Sequence, residues 1–317
     1  MDTNLTDKIL KGDIRAAARL MRDIEDESPG AIKEMGEIYL HTGRAYIVGI
    51  AGAPGVGKST MIDMLISNLR EHGSTIGVVT IDPSSPFTGG AVLGDRIRMQ
   101  RHSTDPEVFI RSLATRGCLG GLSKATTNII HIMDAMKKDF IIVETVGIGQ
   151  IEVDVVKITD TTILVLNPGM GDAIQIMKAG ILEGASIFAI NHKADEESAR
   201  KLKMELQFML DIRQYLPNEW KPSIVIIEAL HNKGIDTLVK EIIRHRDFLT
   251  SSGALEKHRR EKAKLELSEA IEDSIRSYVN TRIDRCRFEG FLEDLVQKRR
   301  DPYSAASEII KYSTKSS

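Results

Sequence analysis

Cysteine, aromatic residues and long apolar runs are all scarce in this chain of 317 residues. The two cysteines, Cys118 and Cys286, lie far apart without a C-x-x-C partner, which argues against a disulfide framework or a cysteine zinc site and fits a reducing compartment. No run approaches about 18 apolar residues, and the first residues are acidic and polar. We therefore expect neither a membrane span nor a secretory signal, and we predict a cytoplasmic protein.

An excess of charge of either sign is also missing. The formal net charge is -2, with 28% charged and 42% hydrophobic residues, as in ordinary globular proteins. Nothing in this balance favours binding to nucleic acid or to an anionic membrane surface. The length suffices for one large α/β domain with helical extensions.

One motif organises the rest of the sequence. It fits G-x-x-x-x-G-K-[ST], the phosphate-binding loop, and stands between a short apolar run and an amphipathic stretch. Its glycines let backbone N–H groups approach an anion, Lys58 supplies charge for the β- and γ-phosphates, and the Ser59 hydroxyl is placed to ligate Mg²⁺. A glycine turn that merely caps a helix is the alternative. The predicted nucleotide-binding residues here are Gly52, Ala53, Pro54, Gly55, Val56, Gly57, Lys58, Ser59 and Thr60.

From residue 45 onward, short apolar runs alternate with longer helical patterns. This alternation predicts an α/β fold whose mainly parallel sheet is covered by helices on both faces, with the functional loops at the carboxyl ends of the strands. The predicted strands are 45–50, 76–81, 108–112, 140–144, 162–166, 187–191 and 224–227. The predicted helices of this body are 58–71, 124–136, 173–182, 196–215 and 235–248.

Helical segments flank the body on both sides. We predict an N-terminal helical extension over 1–42, a nucleotide-binding domain over 43–250 and a C-terminal helical arm over 251–317. In the extension, Asp7 or Thr6 is the expected cap of a helix that begins at Lys8, and a second helix covers 31–39. The arm is rich in charge but also carries an apolar stripe, which suggests homodimerisation as an alternative to a purely solvated helix.

Carboxylates at predicted strand ends are the candidate metal ligands and catalytic groups. Asp82 ends one apolar run and enters a Pro- and Gly-rich loop, where it is placed to hold Mg²⁺ through water or to orient the attacking water; a helix cap or turn residue is the alternative. Asp95 follows within that region, as a second metal-side acid or as the ion-pair partner of Arg96 or Arg98. We expect this loop, over 83–98, to respond to the bound nucleotide.

The run 140–144 has the form of a Walker B strand, four apolar residues ending in an acid, Glu144. Gly147, three residues later, is placed to donate its N–H to a γ-phosphate and to register its loss. Gln150 is placed to orient water, or is a loop glutamine without a catalytic role, and we expect the loop over 147–152 to differ between the GTP and GDP states. We predict Lys58, Asp82 and Glu144 as catalytic residues, and Ser59, Asp82, Asp95 and Glu144 as metal ligands.

The segment from Asn191 to Asp195 predicts recognition of guanine. In guanine-binding NTPases the pattern N/T-K-x-D stands after a strand, because one aspartate accepts the two adjacent N–H donors of guanine that adenine lacks. Lys193 and Asp195 have the right spacing, whereas His192 precedes the lysine and Asn191 lies one place earlier. Either His192 or Asn191 takes the base-side position. Ala229 and Leu230, after a further strand, are placed to supply a backbone N–H to guanine O6.

These motifs together resemble the MeaB/ArgK family. The resemblance is carried by residues 52–60, 82–90, 93–99, 116–117 with 120–121, 144–150 and 193–195, and it spans about residues 5 to 285. It implies a P-loop NTPase fold of the SIMIBI class, which includes metal-delivery and signal-recognition GTPases. It also implies that Lys58, Ser59, Asp82, Asp95 and Glu144 serve phosphate and Mg²⁺, and that Asp195 serves guanine.

The resemblance further implies a function. Members of this family bind GTP and GDP with Mg²⁺ and act as chaperones of adenosylcobalamin-dependent acyl-CoA mutases such as methylmalonyl-CoA mutase. They gate cofactor loading, help protect or reactivate the mutase, and form homodimers through C-terminal helices. The sequence does not show an evident arginine finger, so we expect slow intrinsic hydrolysis. A metallochaperone-type GTPase, a P-loop kinase acting on a protein or small molecule, and a non-hydrolysing nucleotide binder are the alternatives.

Overall fold

Two compact units make up the chain, residues 1–255 and residues 256–317. The structure is a computed structural model, and it describes residues 4–28, 30–82, 99–114, 124–145, 150–169, 184–192, 195–216, 218–282 and 285–315. The predicted helix 173–182 and the predicted loop 83–98 lie outside these residues. Within them, no helix has the length and apolar character needed to cross a membrane.

A parallel sheet of seven strands forms the centre of the first unit, in the order β3-β2-β4-β1-β5-β6-β7. Strands β1, β4, β5 and β6 are buried along their whole length, which is why their sequences are apolar on both faces instead of alternating. All seven predicted strands are present, and the predicted α/β fold is confirmed. The strands are β1 (Tyr46–Ala51), β2 (Ile76–Asp82), β3 (Val108–Ala114), β4 (Phe140–Glu144), β5 (Thr161–Leu166), β6 (Ile187–Asn191) and β7 (Ser223–Ile227).

Helices precede the sheet, connect its strands and form the second unit. In chain order they are α1 (Leu5–Leu10), α2 (Ile14–Glu25), α3 (Ala31–Tyr39), α4 (Lys58–Glu71), α5 (Lys124–Ala135), α6 (Gln150–Ile158), α7 (Glu196–Ile212), α8 (Ile235–Ser251), α9 (Ala254–Arg282), α10 (Arg285–Val296) and α11 (Pro302–Lys315). Short 3-10 turns lie at Gln100–His102 and Ala229–His231.

Two hydrophobic clusters cover the two faces of the sheet. One contains Leu20 and Ile38 from the N-terminal helices together with strand residues such as Val143. The other contains Leu65 of α4 and Leu238 of α8, packed with the opposite side chains of the same strands. Because successive strand residues point to opposite faces, each strand supplies both clusters. The N-terminal helices are therefore part of the core of the first unit.

Three local expectations were wrong. The first helix begins at Leu5, and the Thr6 hydroxyl donates to Glu34 and Glu37 of α3 instead of capping a helix that starts at Lys8. Helix α7 ends at Ile212 and not at 215, because the next residue adopts an extended backbone. Residues 150–152, expected as part of a loop, begin α6.

Candidate nucleotide-binding site

The phosphate loop, residues 52–60, connects β1 to α4 at the carboxyl edge of the sheet. Gly57 caps the helix with a φ of 97°, a left-handed conformation that favours glycine. A Cβ at this position would lie 2.4 Å from the Nδ2 atom of Asn191. Both the backbone angle and the space available therefore require glycine here, and the N–H groups at the start of α4 are oriented towards the site.

Lys58 lies folded over this loop. Its Nζ atom donates hydrogen bonds to the carbonyl oxygens of Gly52, at 2.7 Å, and Ala53, at 3.2 Å. The residue is only 7% exposed, so its ammonium charge is largely removed from water. A positive charge held at a loop of backbone N–H groups is the arrangement that binds phosphate.

The Ser59 hydroxyl donates to the Oε1 atom of Glu144 at 2.8 Å. Glu144 ends β4, which is hydrogen bonded to β1, and it is 4% exposed. The pair brings a hydroxyl and a carboxylate oxygen together beside the phosphate loop, and hard oxygen ligands of this kind fit Mg²⁺. The glutamate side chain at the end of this strand is therefore long enough for direct contact with the serine.

Asn191 joins the phosphate loop to the segment after β7. Its Nδ2 atom donates to the Val56 carbonyl at 2.8 Å, and its Oδ1 atom accepts from the Ala229 N–H at 3.1 Å. The backbone N–H of His192 donates to the Ile227 carbonyl at 3.0 Å, and its side chain reaches the cavity wall. The two residues between which the sequence did not decide therefore both line the cavity, and Asn191 also bridges the phosphate loop and the segment after β7.

These elements enclose a cavity of about 480 Å³, a volume typical of small-molecule sites. Predicted residues from four strand ends contribute to it. The residues that line it are Pro54, Gly55, Val56, Gly57, Lys58, Ser59, Thr60, Glu144, Thr145, Asn191, His192, Ala229 and Leu230.

Other predicted residues are not brought into this wall, or lie outside the described part of the chain. Asp195 caps α7, where its Oδ1 atom accepts from the Ser198 N–H at 2.9 Å. Hydrogen bonds from Ser198 hold the pKa of this exposed carboxyl below its usual range. The backbone puts Asp82 at the end of β2, but its side chain lies outside the described part of the chain. Asp95, Gly147 and Lys193 also lie outside it, as does Cys118, and so does the side chain of Gln150.

Two features of the site were not recognised from the sequence. Thr145 is fully buried in the cavity wall, with its N–H donating to the Ile50 carbonyl at 3.1 Å. Its signal was its place directly after the Walker B acid. The second feature is a lock in the turn after β7, formed by the ion pair of Glu228 with Lys233 and the contact of Glu228 with His231. Only the charged residues Glu228 and Lys233 and the nearby histidine pointed to it.

Comparison with known proteins identifies the family of the chain. The family model described as "Methylmalonyl Co-A mutase-associated GTPase MeaB" matches residues 17–284. The chain belongs to the MeaB family. The resemblance drawn from the motifs is thereby confirmed.

Relatives of this MeaB family member carry GTPase names. It is 50% identical to a putative GTPase of Pyrococcus abyssi over 98% of this chain and 96% of that protein. It is 30% identical to the GTPase ArgK of Escherichia coli over 89% of this chain and 87% of that protein. A solved structure of a LAO/AO transport system kinase has the same fold, with a TM-score of 0.70 and 22% identity over 97% of this chain and 96% of that one. GTPase activity is therefore supported at the level of the family.

Proposed function

We propose that the chain binds GTP with Mg²⁺ in the cavity at the phosphate loop and hydrolyses it as a molecular switch. The observation that carries this proposal is the convergence of Lys58, Ser59 and Glu144 beside a glycine-capped helix start. The phosphates would lie against the N–H groups of residues 52–60 with the Lys58 ammonium beside them. Among the described residues that line the cavity, Lys58 is the only lysine or arginine.

Ser59 and Glu144, with Asp82 and Asp95, would hold the Mg²⁺ ion, which neutralises charge on the β- and γ-phosphate oxygens. Their hydroxyl and carboxylate oxygens fit the ion's preference for hard ligands. Gly147 would donate its N–H to the γ-phosphate. Attack by water would then depend on positioning and on charge stabilisation more than on a strong base.

The base would lie between Asn191 and His192 on one strand end and Ala229 and Leu230 on the next. We propose guanine as the base, with Asp195 accepting its paired N–H donors and Lys193 lying over the ring. Asp195 directly follows this wall in the chain, and its carboxyl has a lowered pKa and stays ionised at neutral pH. An ionised acceptor is what guanine requires.

We infer that intrinsic hydrolysis is slow and that a partner protein accelerates it. No arginine lines the cavity in the part of the chain that is described. The family description names the partner class, methylmalonyl-CoA mutase, and we propose that the client is an adenosylcobalamin-dependent acyl-CoA mutase of this kind. Nucleotide state would gate cofactor loading and support reactivation of the mutase.

Single-turnover hydrolysis of GTP tests this function. The full-length chain is mixed with γ-labelled GTP and Mg²⁺, with and without an acyl-CoA mutase, and released phosphate is compared with label on protein or added acceptor. We expect slow release to water, faster release with the mutase, and none with Lys58→Ala. Transfer of the label to an acceptor would instead identify a kinase, and the absence of any turnover would leave a nucleotide binder.

A further inference from the structure

The turn after β7, residues 228–234, is closed on itself by its backbone. The Glu228 N–H donates to the Lys233 carbonyl at 3.0 Å, and the Lys233 N–H returns to the Glu228 carbonyl at 3.3 Å. Asn232 has a φ of 55° and Gly234 a φ of 76°, both in the left-handed region. A Cβ on Gly234 would lie 2.4 Å from the Ile226 carbonyl oxygen, so the turn is tightly packed against the end of the strand. We call residues 228–234 the base-side turn.

A buried carboxylate locks this turn. Glu228 is 8% exposed, and its Oε2 atom accepts from the Nζ atom of Lys233 at 2.8 Å. Its Oε1 atom meets the Nδ1 atom of His231. The hydrogen bond from Lys233 holds the pKa of Glu228 below its usual range, and Glu228 raises the pKa of Lys233. One carboxylate thus joins positions three and five residues further along the chain.

The base-side turn carries two parts of the cavity wall. The Ala229 N–H is fixed by Asn191, which also contacts the phosphate loop. Leu230 lines the cavity, yet 66% of its surface is exposed. An apolar side chain that lines the cavity and is still exposed is suited to covering the flat face of a heterocyclic base, because the contact removes apolar surface from water.

We propose that Glu228 is a positioning residue that holds Ala229 and Leu230 in place for a purine base. This inference rests on the proposed function, since it concerns the base half of the same nucleotide site. In a chain without the Glu228 contacts, binding of the base must also order the turn. The conformational entropy lost in that ordering lowers the affinity for the nucleotide. The phosphate half is built from residues 52–60 and does not contain the lock, so its affinity should not change.

The test compares ligands with and without a base. The affinities of the full-length chain for GDP and for inorganic pyrophosphate, both with Mg²⁺, are measured by competition against a fluorescent GDP. We expect Glu228→Ala to weaken GDP binding about tenfold and to leave pyrophosphate binding unchanged. Glu228→Gln, which keeps the shape and one acceptor, should recover part of the loss. In turnover, KM for GTP should rise while kcat stays the same.

Two further variants secure the interpretation. Glu219→Ala removes a carboxylate that pairs with Arg213 outside the cavity wall and should leave both affinities unchanged. Lys233→Met removes the ammonium partner of Glu228 but keeps a long unbranched side chain, and it should also weaken GDP binding. This variant tests the inference even if Glu228→Ala does not fold.

Several results would overturn the inference. GDP affinity that is unchanged in Glu228→Ala, or in Lys233→Met where only that variant folds, contradicts a positioning role. An equal loss for GDP and pyrophosphate also contradicts it, because the carboxylate would then act on the whole site. If the unaltered chain binds GDP more tightly than pyrophosphate and Glu228→Ala keeps the same preference, this inference fails alone; if the unaltered chain binds neither ligand, the proposed function fails with it.

Discussion

Lys58 has two tasks at the scale of single residues. In the structure, its ammonium group donates hydrogen bonds to two carbonyl oxygens of the phosphate loop. The proposed function requires the same group to contact phosphate. When phosphate replaces these carbonyl oxygens as the partner of Lys58, the hydrogen bond joins two charged groups and is stronger.

Lys58→Ala should therefore weaken binding of GTP and GDP by at least about tenfold, since a hydrogen bond to a charged group contributes about 1.5–3 kcal/mol. Isothermal titration calorimetry with Mg²⁺ and GDP measures the change. Lys33→Ala, at an exposed position on α3, is the matched control and should bind as the unaltered chain does. Equal affinities for the Lys58 variant would show that the loop does not hold the phosphates.

Asn191 is the second residue whose contacts define a prediction. Asn191→Ala removes both hydrogen bonds between the phosphate loop and the base-side turn, so we expect the free energy of unfolding to fall by about 1–3 kcal/mol. Urea denaturation measures this loss, and Asn218→Ala, at an exposed position, serves as control. A loss no greater than that of the control would mean that the bridge does not stabilise the first unit.

At the scale of elements, the strands were predictable because each buried strand is a short apolar run bounded by turn residues. The order β3-β2-β4-β1-β5-β6-β7 was not, since no single run shows which neighbour it pairs with. The end of α7 was missed because Tyr215, apolar in the helical pattern, instead packs beside the cations of Arg213 and Lys221. The helical period alone does not reveal such a side-chain contact.

The candidate site, too, could be predicted from the sequence only in part. Lys58, Ser59 and Glu144 follow from motif spacing, because the phosphate loop and the strand-end acid are local patterns. The lock of Glu228 depends on left-handed residues that bring Lys233 back to the strand, and the sequence shows only a glycine and scattered charges there. Side-chain partners made by a turn become visible only with the backbone.

An ion pair between elements gives a prediction about pH. Arg70 near the end of α4 donates to both carboxylate oxygens of Asp105, which precedes β3. This arginine, and then the Glu107 N–H, lower the pKa of Asp105. A lowered pKa means that the contribution to stability is fully present above the ordinary value of about 3.9 and is lost as the pH falls through the lower folded value.

Asp105→Asn should thus reduce the free energy of unfolding by about 0.5–1 kcal/mol at neutral pH, and the difference should shrink below about pH 4. Urea denaturation at several pH values measures it. Asp247→Asn, at an exposed site with a long contact to Arg246, should have little effect at any pH. A difference between Asp105→Asn and the unaltered chain that does not depend on pH would contradict the ion-pair account.

At the scale of the whole molecule, the second unit presents apolar side chains to solvent. On α9 five apolar residues are between 38% and 62% exposed: Leu265, Leu267, Ile271, Ile275 and Tyr278. We propose that a second copy of the chain covers them in a homodimer.

Ile271→Glu combined with Ile275→Glu should convert this dimer to a monomer, because buried carboxylates without partners oppose association. Sedimentation velocity measures the mass, and GDP binding should persist because the cavity is built within the first unit. Ser277→Glu adds a carboxylate at an exposed polar position and should leave the dimer intact. A monomer in the unaltered chain, or a dimer in the double variant, would refute the proposed interface.

The whole account depends on the use of one cavity by a guanine nucleotide. A crystal structure of the full chain with Mg²⁺ and a non-hydrolysable GTP analogue examines this use directly. We predict the triphosphate along the backbone of residues 52–60, with the Lys58 ammonium transferred from the Gly52 carbonyl to phosphate, and the base beside Ala229 and Leu230. An analogue bound elsewhere, or a cavity without nucleotide at saturating concentration, would contradict the account.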